Sequence, residues 1–216
     1  KTLEPISQFN EGQVRAVVEE ARRWRKDVAT HAYGGDGAKD AVRGGVRSVE
    51  HGMLLDDETL QLMVERSVYW CPTFSNMRPT HALAGYPEAF VERLMARHRE
   101  TFRKALRLGV KIAFGTDAGR VVHGTNAEEF ELMVQAGMEP MRAIQAATSV
   151  AAELLRMQGE IGAVKTGCVA DLVAVAGNPL DDIKLLQDVR FVMKAGTVVK
   201  APSMLLHTEQ RESASV

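Results

Sequence analysis

The sequence predicts an α/β fold, and two observations support this class. Strand-like and helix-like segments alternate over the first three quarters of the chain, and short loops bound the strands. This alternation is typical of a parallel sheet with helices outside it. The pattern changes at Gly159, where turn-rich segments and short strands begin. The sequence therefore also predicts a small β element after the β/α region.

The β/α region contains four predicted strands, which are mainly apolar or β-branched. They span residues 27–31, 45–51, 67–74 and 110–117. Helical periodicity predicts helices at residues 8–26, 36–43, 56–64, a long helix that ends at 108, 126–136 and 139–157. Four strand/helix units are half of an eight-stranded barrel, so the sheet is expected to have open edges.

Local signals define the faces and ends of several helices. The first helix is amphipathic, and its apolar face contains Val14, Val17, Val18, Ala21 and Trp24. Asp36 is the predicted N-cap of the second helix, and Gly109 ends the long helix. His98 and five arginines predict a solvated basic face on that long helix; the arginines are Arg93, Arg97, Arg99, Arg103 and Arg107.

The last quarter of the chain reads as β structure followed by a tail. Residues 168–175 form a predicted strand, and Val189–Lys194 and Thr197–Lys200 form a predicted hairpin. The chain is accordingly divided into a half-barrel at 1–158, a β-sandwich segment at 159–203 and a poorly ordered tail at 204–216.

Composition excludes several classes of function. The chain has 216 residues, of which 45% are hydrophobic and 25% charged, as in an ordinary globular protein. Its net charge is −1, and 6% aromatic residues with no basic stripe give nucleic-acid binding little support. No apolar run approaches the roughly 20 residues that span a bilayer, so no membrane association is expected. Two cysteines without a CxxC unit, and no signal-peptide pattern, favour a reducing, cytoplasmic location.

Three predicted strands end in residues able to bind a metal, namely His31, His51 and Asp117. A glycine or another small residue follows each strand end, in the segments HAYGG, EHG and TDAG. The C-terminal ends of parallel strands meet at one edge, where active sites are built. A single histidine in this position is more often a core or surface residue. Three metal-binding residues in the same setting favour a shared site.

Two imidazoles and a carboxylate are a common catalytic ligand set for zinc that leaves room for water. A bound metal brings the pKa of water close to neutrality and so generates a nucleophile. Asp117 is expected to bind the metal, to accept the proton of that water, or both, and to pass the proton to the leaving group. Glu50 faces the opposite side of an extended strand from His51 and is expected to be structural.

These segments resemble the amidohydrolase superfamily. The resemblance rests on HAYG, SVEHG, FGTDAG, HGTNAEEFELMVQAGMEPMRAIQAAT and the closing GEIGAVKTGCVADLVAVAGNPLDDI. It covers nearly all of residues 8–200 and is nearest to the imidazolonepropionase-like branch that includes Xaa-Pro dipeptidases. It implies the C-terminal half of a (β/α)8 TIM barrel, with strands five to eight, followed by a small β-sandwich segment.

The resemblance also implies an activity and residue roles. The expected reaction is metal-dependent hydrolysis of a C–N amide bond in a dipeptide or similar small carboxylated substrate, with zinc as one or two ions. His31 and His51 match the metal ligands of strands five and six, and Asp117 matches the strand-eight aspartate that binds metal and shuttles protons. Tyr33 matches a position that can contact the substrate carboxylate or the reacting carbonyl, and His123, in the loop after strand eight, is expected to line the substrate pocket. Simple loop packing or a loop-ordering hydrogen bond also accounts for these two residues.

The sequence departs from the superfamily pattern in two ways. It has no His-x-His motif after a first strand and no clear match to the strand-four lysine. The chain is therefore expected to be the C-terminal half of a longer barrel, inactive alone, whose partner is the missing N-terminal half. Homo-oligomerisation is also expected. The alternatives are a deaminase or cyclic-amide hydrolase on the same scaffold, and a non-catalytic half-barrel.

Overall fold

Four parallel strands form the larger of two sheets, and they neighbour each other in sequence order. The computed structural model describes residues 5–77, 85–119 and 122–202. The strands are β1 at Ala29–Gly34, β2 at Ser48–Leu54, β3 at Tyr69–Cys71 and β4 at Lys111–Ile112. β1 and β4 are the edge strands of this sheet. The predicted α/β fold with a parallel sheet is confirmed.

Helices alternate with these strands, as predicted. They are α1 at Glu11–Arg23, α2 at Gly35–Gly44, α3 at Asp57–Glu65, α4 at Glu88–Leu108, α5 at Glu128–Gln135, α6 at Pro140–Ala147 and α7 at Ser149–Leu154. A single helix at 139–157 is wrong, because Thr148, at φ −125° and ψ −93°, separates α6 from α7. The N-cap at Asp36 is also wrong, since Gly34 is the N-cap and Asp36 lies in the first turn. In the described parts of the chain, no helix is long and apolar enough to cross a membrane.

The first helix, α1, begins with a capping box. The side chain of Asn10 accepts a hydrogen bond from the backbone N–H of Gln13, and the side chain of Gln13 accepts one from Asn10, both at 3.0 Å. The two bonds satisfy donors that the first helical turn leaves without partners. Val18 is buried as predicted, but Val17 and Trp24 are 56% and 72% exposed. The predicted apolar face is therefore only partly covered.

The hydrophobic core lies between the parallel sheet and its helices. Trp70 on β3 and Phe102 on α4 meet edge-on with ring centroids 5.7 Å apart, and Phe74 meets Phe102 at 5.1 Å. The largest fully buried apolar side chains are Trp70, Tyr69, Phe74, Phe102, Leu60, Met63, Met133, Val42 and Val49. Aromatic side chains bury the most area, so this cluster holds β3 against α4.

The predicted position of His98 on a solvated face of α4 is wrong. Four of the arginines are exposed as predicted, namely Arg93, Arg97, Arg103 and Arg107. His98 is fully buried and stacks on Phe74 with ring centroids 4.1 Å apart. It shares its face of the helix with Leu94 and Phe102, four residues before and after it, and both are buried.

A smaller antiparallel sheet follows the helices, in the order β5-β6-β7. Its strands are β5 at Leu172–Val175, β6 at Val189–Lys194 and β7 at Thr197–Lys200. The hairpin is confirmed at its predicted bounds. The strand predicted at 168–175 begins later, because the backbone N–H of Val169 donates to Glu160 in a preceding turn. The tail at 204–216 lies outside the described residues, and the domain boundaries stay predictions.

Polar contacts join the end of α7 to the segments that precede β1 and β2. Arg47 donates from Nε to the carbonyl of Leu154 at 2.7 Å and from Nη2 to that of Glu153 at 2.6 Å. These carbonyls belong to the last turn of α7, where intrahelical donors run out. Arg156 donates twice to Asp27, at 2.5 and 2.9 Å. The contacts hold segments together that are far apart in sequence.

Candidate functional site

Three aromatic rings meet at the C-terminal ends of β1 and β2. The ring centroids of His31 and His51 are 4.4 Å apart, and that of Tyr33 lies 4.8 Å from His31 and 5.8 Å from His51. His31 and Tyr33 are two residues apart on β1, so they share one face of the sheet. Both are exposed, whereas His51 is buried. The structure thus brings two predicted metal ligands and the predicted substrate-binding tyrosine together.

His51 reaches this face through a break in the extended backbone. In the register of β1 and β2, His31 lies beside Glu50. Regular alternation would therefore send the side chain of His51 to the other face. His51 instead has φ 72° and Gly52 has φ 57°, and the imidazole meets His31. A left-handed conformation of a non-glycine residue costs about 1–3 kcal/mol and persists only where its surroundings hold it.

Trp70 supports the backbone at this break. Its indole Nε1 donates a hydrogen bond to the carbonyl of His51 at 2.9 Å. A Cβ atom on Gly52 would lie 2.4 Å from the same nitrogen. Glycine is therefore required after His51 both for its positive φ and for the close approach of the indole.

Thr73, in the segment that follows β3, contacts the ring of His51. Its Oγ1 lies 2.7 Å from Nδ1 of His51, and both residues are buried. A hydrogen bond at one ring nitrogen orients an imidazole and selects its tautomer. Metal coordination by His51 would then use Nε2, with Thr73 in the place of the outer partner that ligating histidines commonly have.

Asp117 lies beyond the end of β4. It is exposed, has φ 53°, and its Oδ2 accepts a hydrogen bond from Nδ2 of Asn76 at 2.5 Å. Thr73 has φ 50°, so non-glycine residues with left-handed backbones lie within β2, at His51, and after β3 and β4. Strained residues of this kind cluster at active sites. The backbone therefore marks the same edge of the sheet that the sequence motifs indicate.

This arrangement of strand ends has counterparts in known proteins. The model of the amidohydrolase family matches residues 3–199. The chain belongs to the amidohydrolase family. Ochratoxinase of Aspergillus niger is 33% identical to it over 211 residues, which cover 92% of this chain and 43% of ochratoxinase.

Two solved amidohydrolase structures are also similar to the chain. A Xaa-Pro dipeptidase with methionine bound in its active site superposes with a TM-score of 0.82 at 42% identity, over 90% of this chain and 50% of the dipeptidase. A prolidase complexed with N-methylphosphonate-L-proline gives a TM-score of 0.81 at 36% identity, with the same coverage of 90% and 50%. The chain spans about half the length of these relatives. The predicted family and half-barrel fold are confirmed.

The side chains of His31, His51 and Asp117 are chemically suited to a divalent metal. Two imidazoles and an aspartate are ligands that zinc takes in catalytic sites. Within residues 5–77, 85–119 and 122–202, however, His, Cys, Asp and Glu form no group of three or more that could hold a metal ion. His31 and His51 are adjacent, and Asp117 does not complete a group with them. The residues present would therefore supply only some of the ligands of a metal site.

His123, the second predicted substrate-binding residue, lies in the turn that precedes α5. It is exposed. Nearby, Asn126 donates from Nδ2 to Oγ1 of Thr116 at 2.9 Å, which ties this loop to the residue before Asp117. The functional roles of all the predicted site residues stay predictions, namely His31, His51, Asp117, Tyr33 and His123.

Cys71 lies in an acidic part of the interior. Burial raises the pKa of its thiol, and the carboxylates of Glu50, Glu129 and Asp117 raise it further. The carboxylate of Glu50 also accepts a hydrogen bond from Oγ of Ser48 at 2.6 Å. A thiol that stays protonated is a poor nucleophile, so these surroundings disfavour covalent catalysis by Cys71.

Sequence reasoning missed three residues around the site, namely Thr73, Asn76 and Glu129. Glu129 is fully buried, and its two carboxylate oxygens accept hydrogen bonds from the backbone N–H groups of Phe74 at 2.9 Å and Ser75 at 2.7 Å. In the sequence it is one of several acidic residues in the first turn of α5, which is an ordinary helix start. No local signal separates it from its acidic neighbours.

Proposed function

We propose that this chain carries part of the active site of a metal-dependent hydrolase that cleaves a C–N amide bond. The supporting observation is the apposition of His31 and His51, with ring centroids 4.4 Å apart at the ends of adjacent strands. Membership of the amidohydrolase family supports the reaction class. The similarity to ochratoxinase and to a Xaa-Pro dipeptidase supports the choice of an amide bond.

The proposed roles follow from the chemistry of each side chain. His31 and His51 would hold the divalent cation, and zinc, as one or two ions, suits nitrogen ligands. Such a cation supplies Lewis acidity towards water and a carbonyl oxygen. Asp117 would accept a proton from the attacking water and return it to the leaving nitrogen. Its hydrogen bond from Asn76 supports this role, because it orients one carboxylate oxygen.

We infer a dipeptide or a similarly small carboxylated compound as the substrate. Tyr33 is 39% exposed beside both imidazoles, so its phenol is able to donate a hydrogen bond to a substrate carboxylate or to the reacting carbonyl. His123, on the loop after β4, would line the same entrance. The dipeptidase and the prolidase, at 42% and 36% identity, support this substrate class over cyclic amides.

The remaining metal ligands would come from a second half-barrel. β1 and β4 are edge strands, and His31 and Tyr33 are exposed on β1. Edge strands offer backbone groups to further strands, so pairing there would extend the sheet and cover both side chains. The relatives, about twice as long as this chain, support a site shared between two halves. Homo-oligomer formation and a cytoplasmic location stay predictions.

The experiment compares bound zinc and hydrolysis of Xaa-Pro dipeptides between an assembly that contains both half-barrels and the same assembly with His51→Ala in this half. We expect both zinc content and turnover to fall by more than the roughly 10–100-fold that loss of an outer partner costs. Arg107→Ala, an exposed position on α4, is the control and should change neither. Unchanged zinc and turnover in His51→Ala would contradict the proposal. Hydrolysis of cyclic amides without turnover of dipeptides would move the substrate class to heterocycles.

A further inference from the structure

The segment that follows β3 contacts both His51 and Asp117. We call residues 73–76 the β3 turn. At its start, Oγ1 of Thr73 lies 2.7 Å from Nδ1 of His51. At its end, Nδ2 of Asn76 donates to Oδ2 of Asp117 at 2.5 Å. One short segment thus bonds to a predicted metal ligand and to the predicted proton shuttle.

The conformation of Thr73 points to a specific role for its hydroxyl. Thr73 has φ 50°, is buried and carries a β-branched side chain. A β-branched residue is an outlier in the left-handed region, where glycine or asparagine fits more easily. The hydroxyl bonds to His51, and this contact gives a reason for threonine in a conformation that disfavours it.

The amide of Asn76 has a definite orientation. Nδ2 faces the carboxylate of Asp117, whereas Oδ1 is buried and has no hydrogen-bond partner within the described chain. The opposite orientation would set the amide oxygen against a carboxylate oxygen, and the two would repel. The amide oxygen of Asn76 therefore has no hydrogen-bond partner within the described chain, while the amide nitrogen donates to Asp117.

Glu129 accepts hydrogen bonds from the backbone of the β3 turn. The carboxylate is fully buried, and each of its oxygens accepts one backbone N–H, from Phe74 at 2.9 Å and from Ser75 at 2.7 Å. Hydrogen bonds to an ionised acceptor are shorter and stronger than neutral ones. Both bonded residues lie between Thr73 and Asn76, so a shift of Glu129 would move both ends of the turn.

We propose that the β3 turn is a positioning device, in which Thr73 orients the imidazole of His51, Asn76 orients the carboxylate of Asp117, and Glu129 holds the turn in place. The inference rests on the proposed function, because it explains how the groups of that site are held. In this arrangement Nδ1 of His51 would donate to Thr73 and leave the lone pair on Nε2, the nitrogen that would bind a metal.

Nitrogen-15 NMR of the 216-residue chain at about pH 8, above the usual histidine pKa of about 6.5, tests this device without metal or substrate. In the wild type we expect the Nδ1–H tautomer of His51 to dominate. Thr73→Ser keeps the hydroxyl and should keep that tautomer. Thr73→Val keeps the branched shape without the hydroxyl and should lose the hydrogen-bonded Nδ1–H signal.

The second pair of variants addresses Glu129, whose carboxylate oxygens accept the backbone N–H groups of Phe74 and Ser75. Glu129→Gln preserves size but replaces one acceptor oxygen by a donor, so one of the two backbone bonds is lost. We expect the Nδ1–H signal of His51 to weaken and the side-chain amide resonances of Asn76 to shift. Glu131→Gln, on the same helix with its carboxylate bonded to Gln187, is the matched control and should leave both unchanged.

Wild-type signals of His51 and Asn76 in a folded Glu129→Gln chain would overturn the proposal. If Glu129→Gln does not fold, the comparison of Thr73→Ser with Thr73→Val tests the proposal instead. The same His51 tautomer in both of these variants would overturn the proposal. These spectra do not depend on turnover. A protein that fails to hydrolyse dipeptides can therefore still support the positioning device, and an active protein can still contradict it.

Discussion

At the scale of single residues, His98 shows how far burial changes a titratable side chain. Both its ring nitrogens are buried without a hydrogen-bond partner in the described part of the chain. Desolvation, with smaller contributions from the charges of His51 and Arg99, lowers the pKa of His98 to about 3. The imidazole is therefore neutral near pH 7 and serves as an aromatic ring that stacks on Phe74.

This burial predicts a pH-dependent cost that His98→Phe should remove. The pKa of His98 is lower in the folded than in the unfolded chain, so protons favour unfolding as the pH falls below about 6.5. Relative to wild type, the free energy of unfolding of the variant should be about 2 kcal/mol larger, and the variant thus more stable, at pH 5 than at pH 8. Urea denaturation at both pH values measures it. Any packing cost of the larger ring is the same at both and cancels.

The exposed His123 provides the control for this experiment. His123→Phe should show little difference between the two pH values, because His123 is exposed in the turn before α5 and its replacement removes no buried imidazole. An equal stability difference for His98→Phe at pH 5 and pH 8 would show that His98 is not held neutral by burial.

At the scale of elements, the backbone of β2 departs from the extended strand that the sequence pattern predicts. β2 pairs with β1 in regular register as far as His51, and there His51 and Gly52 turn into the left-handed region. This break carries the imidazole from the face that alternation predicts to the face of His31. Trp70, from the neighbouring strand, holds the break by its hydrogen bond to the carbonyl of His51.

Gly52→Ala should therefore lower the free energy of unfolding more than replacement of a glycine in open space. The new methyl group would lie 2.4 Å from Nε1 of Trp70, in addition to the strain at φ 57°. We expect a loss of about 2–5 kcal/mol in the free energy of unfolding, from left-handed strain and overpacking together. Urea denaturation measures the loss.

Gly109 gives a matched comparison, because it also has a positive φ, 83°, but its Cβ would meet nothing within 4 Å. Gly109→Ala should cost only the strain of about 1–2 kcal/mol. Equal losses at the two positions would mean that the indole moves aside freely and does not hold the strand end.

At the scale of the whole molecule, the contacts at the C-terminal ends of the parallel strands differ from those at their N-terminal ends. The C-terminal strand ends carry the candidate site, and its ring cluster includes exposed residues of the edge strand β1. At the opposite ends of the strands, Asp27 and Arg47 join the segments that precede β1 and β2 to the end of α7. The hydrogen bond from Arg156, with the charge of Arg47, holds the pKa of Asp27 below its usual value against the opposing effect of burial.

Asp27→Asn should destabilise the protein by about 0.5–1 kcal/mol near pH 7, since the ion pair is partly exposed. The pKa of Asp27 is lower in the folded than in the unfolded chain, so its contribution is present above the usual value of about 3.8 and is lost as the pH falls below it. Urea denaturation near pH 7 and pH 3 should show a larger difference at the higher pH.

Glu20→Gln removes an ion pair with Arg23 that lies within α1, and it is the control for this long-range contact. Its cost should be about 0.3 kcal/mol, the value of a local helix pair. An Asp27→Asn variant as stable as wild type near pH 7 would mean that this ion pair does not hold α7 to the start of the sheet.

Local patterns in the sequence determined the order of strands and helices, the hairpin of β6 and β7, and the choice of His31, His51 and Asp117. Each of these rests on periodicity, turn residues or a residue type at a strand end, and such signals lie within a few neighbouring positions. The burial of His98 and the break between α6 and α7 escaped these patterns, because packing against other elements decides both.

Only the tertiary structure decided how the site is held. His51 with Thr73, Phe74 with Glu129, and Asn76 with Asp117 are separated by 22, 55 and 41 positions. No local pattern in one sequence connects residues so far apart. Their contacts arise when parallel strands bring their C-terminal ends to one edge, and that convergence turns separate strand ends into a site.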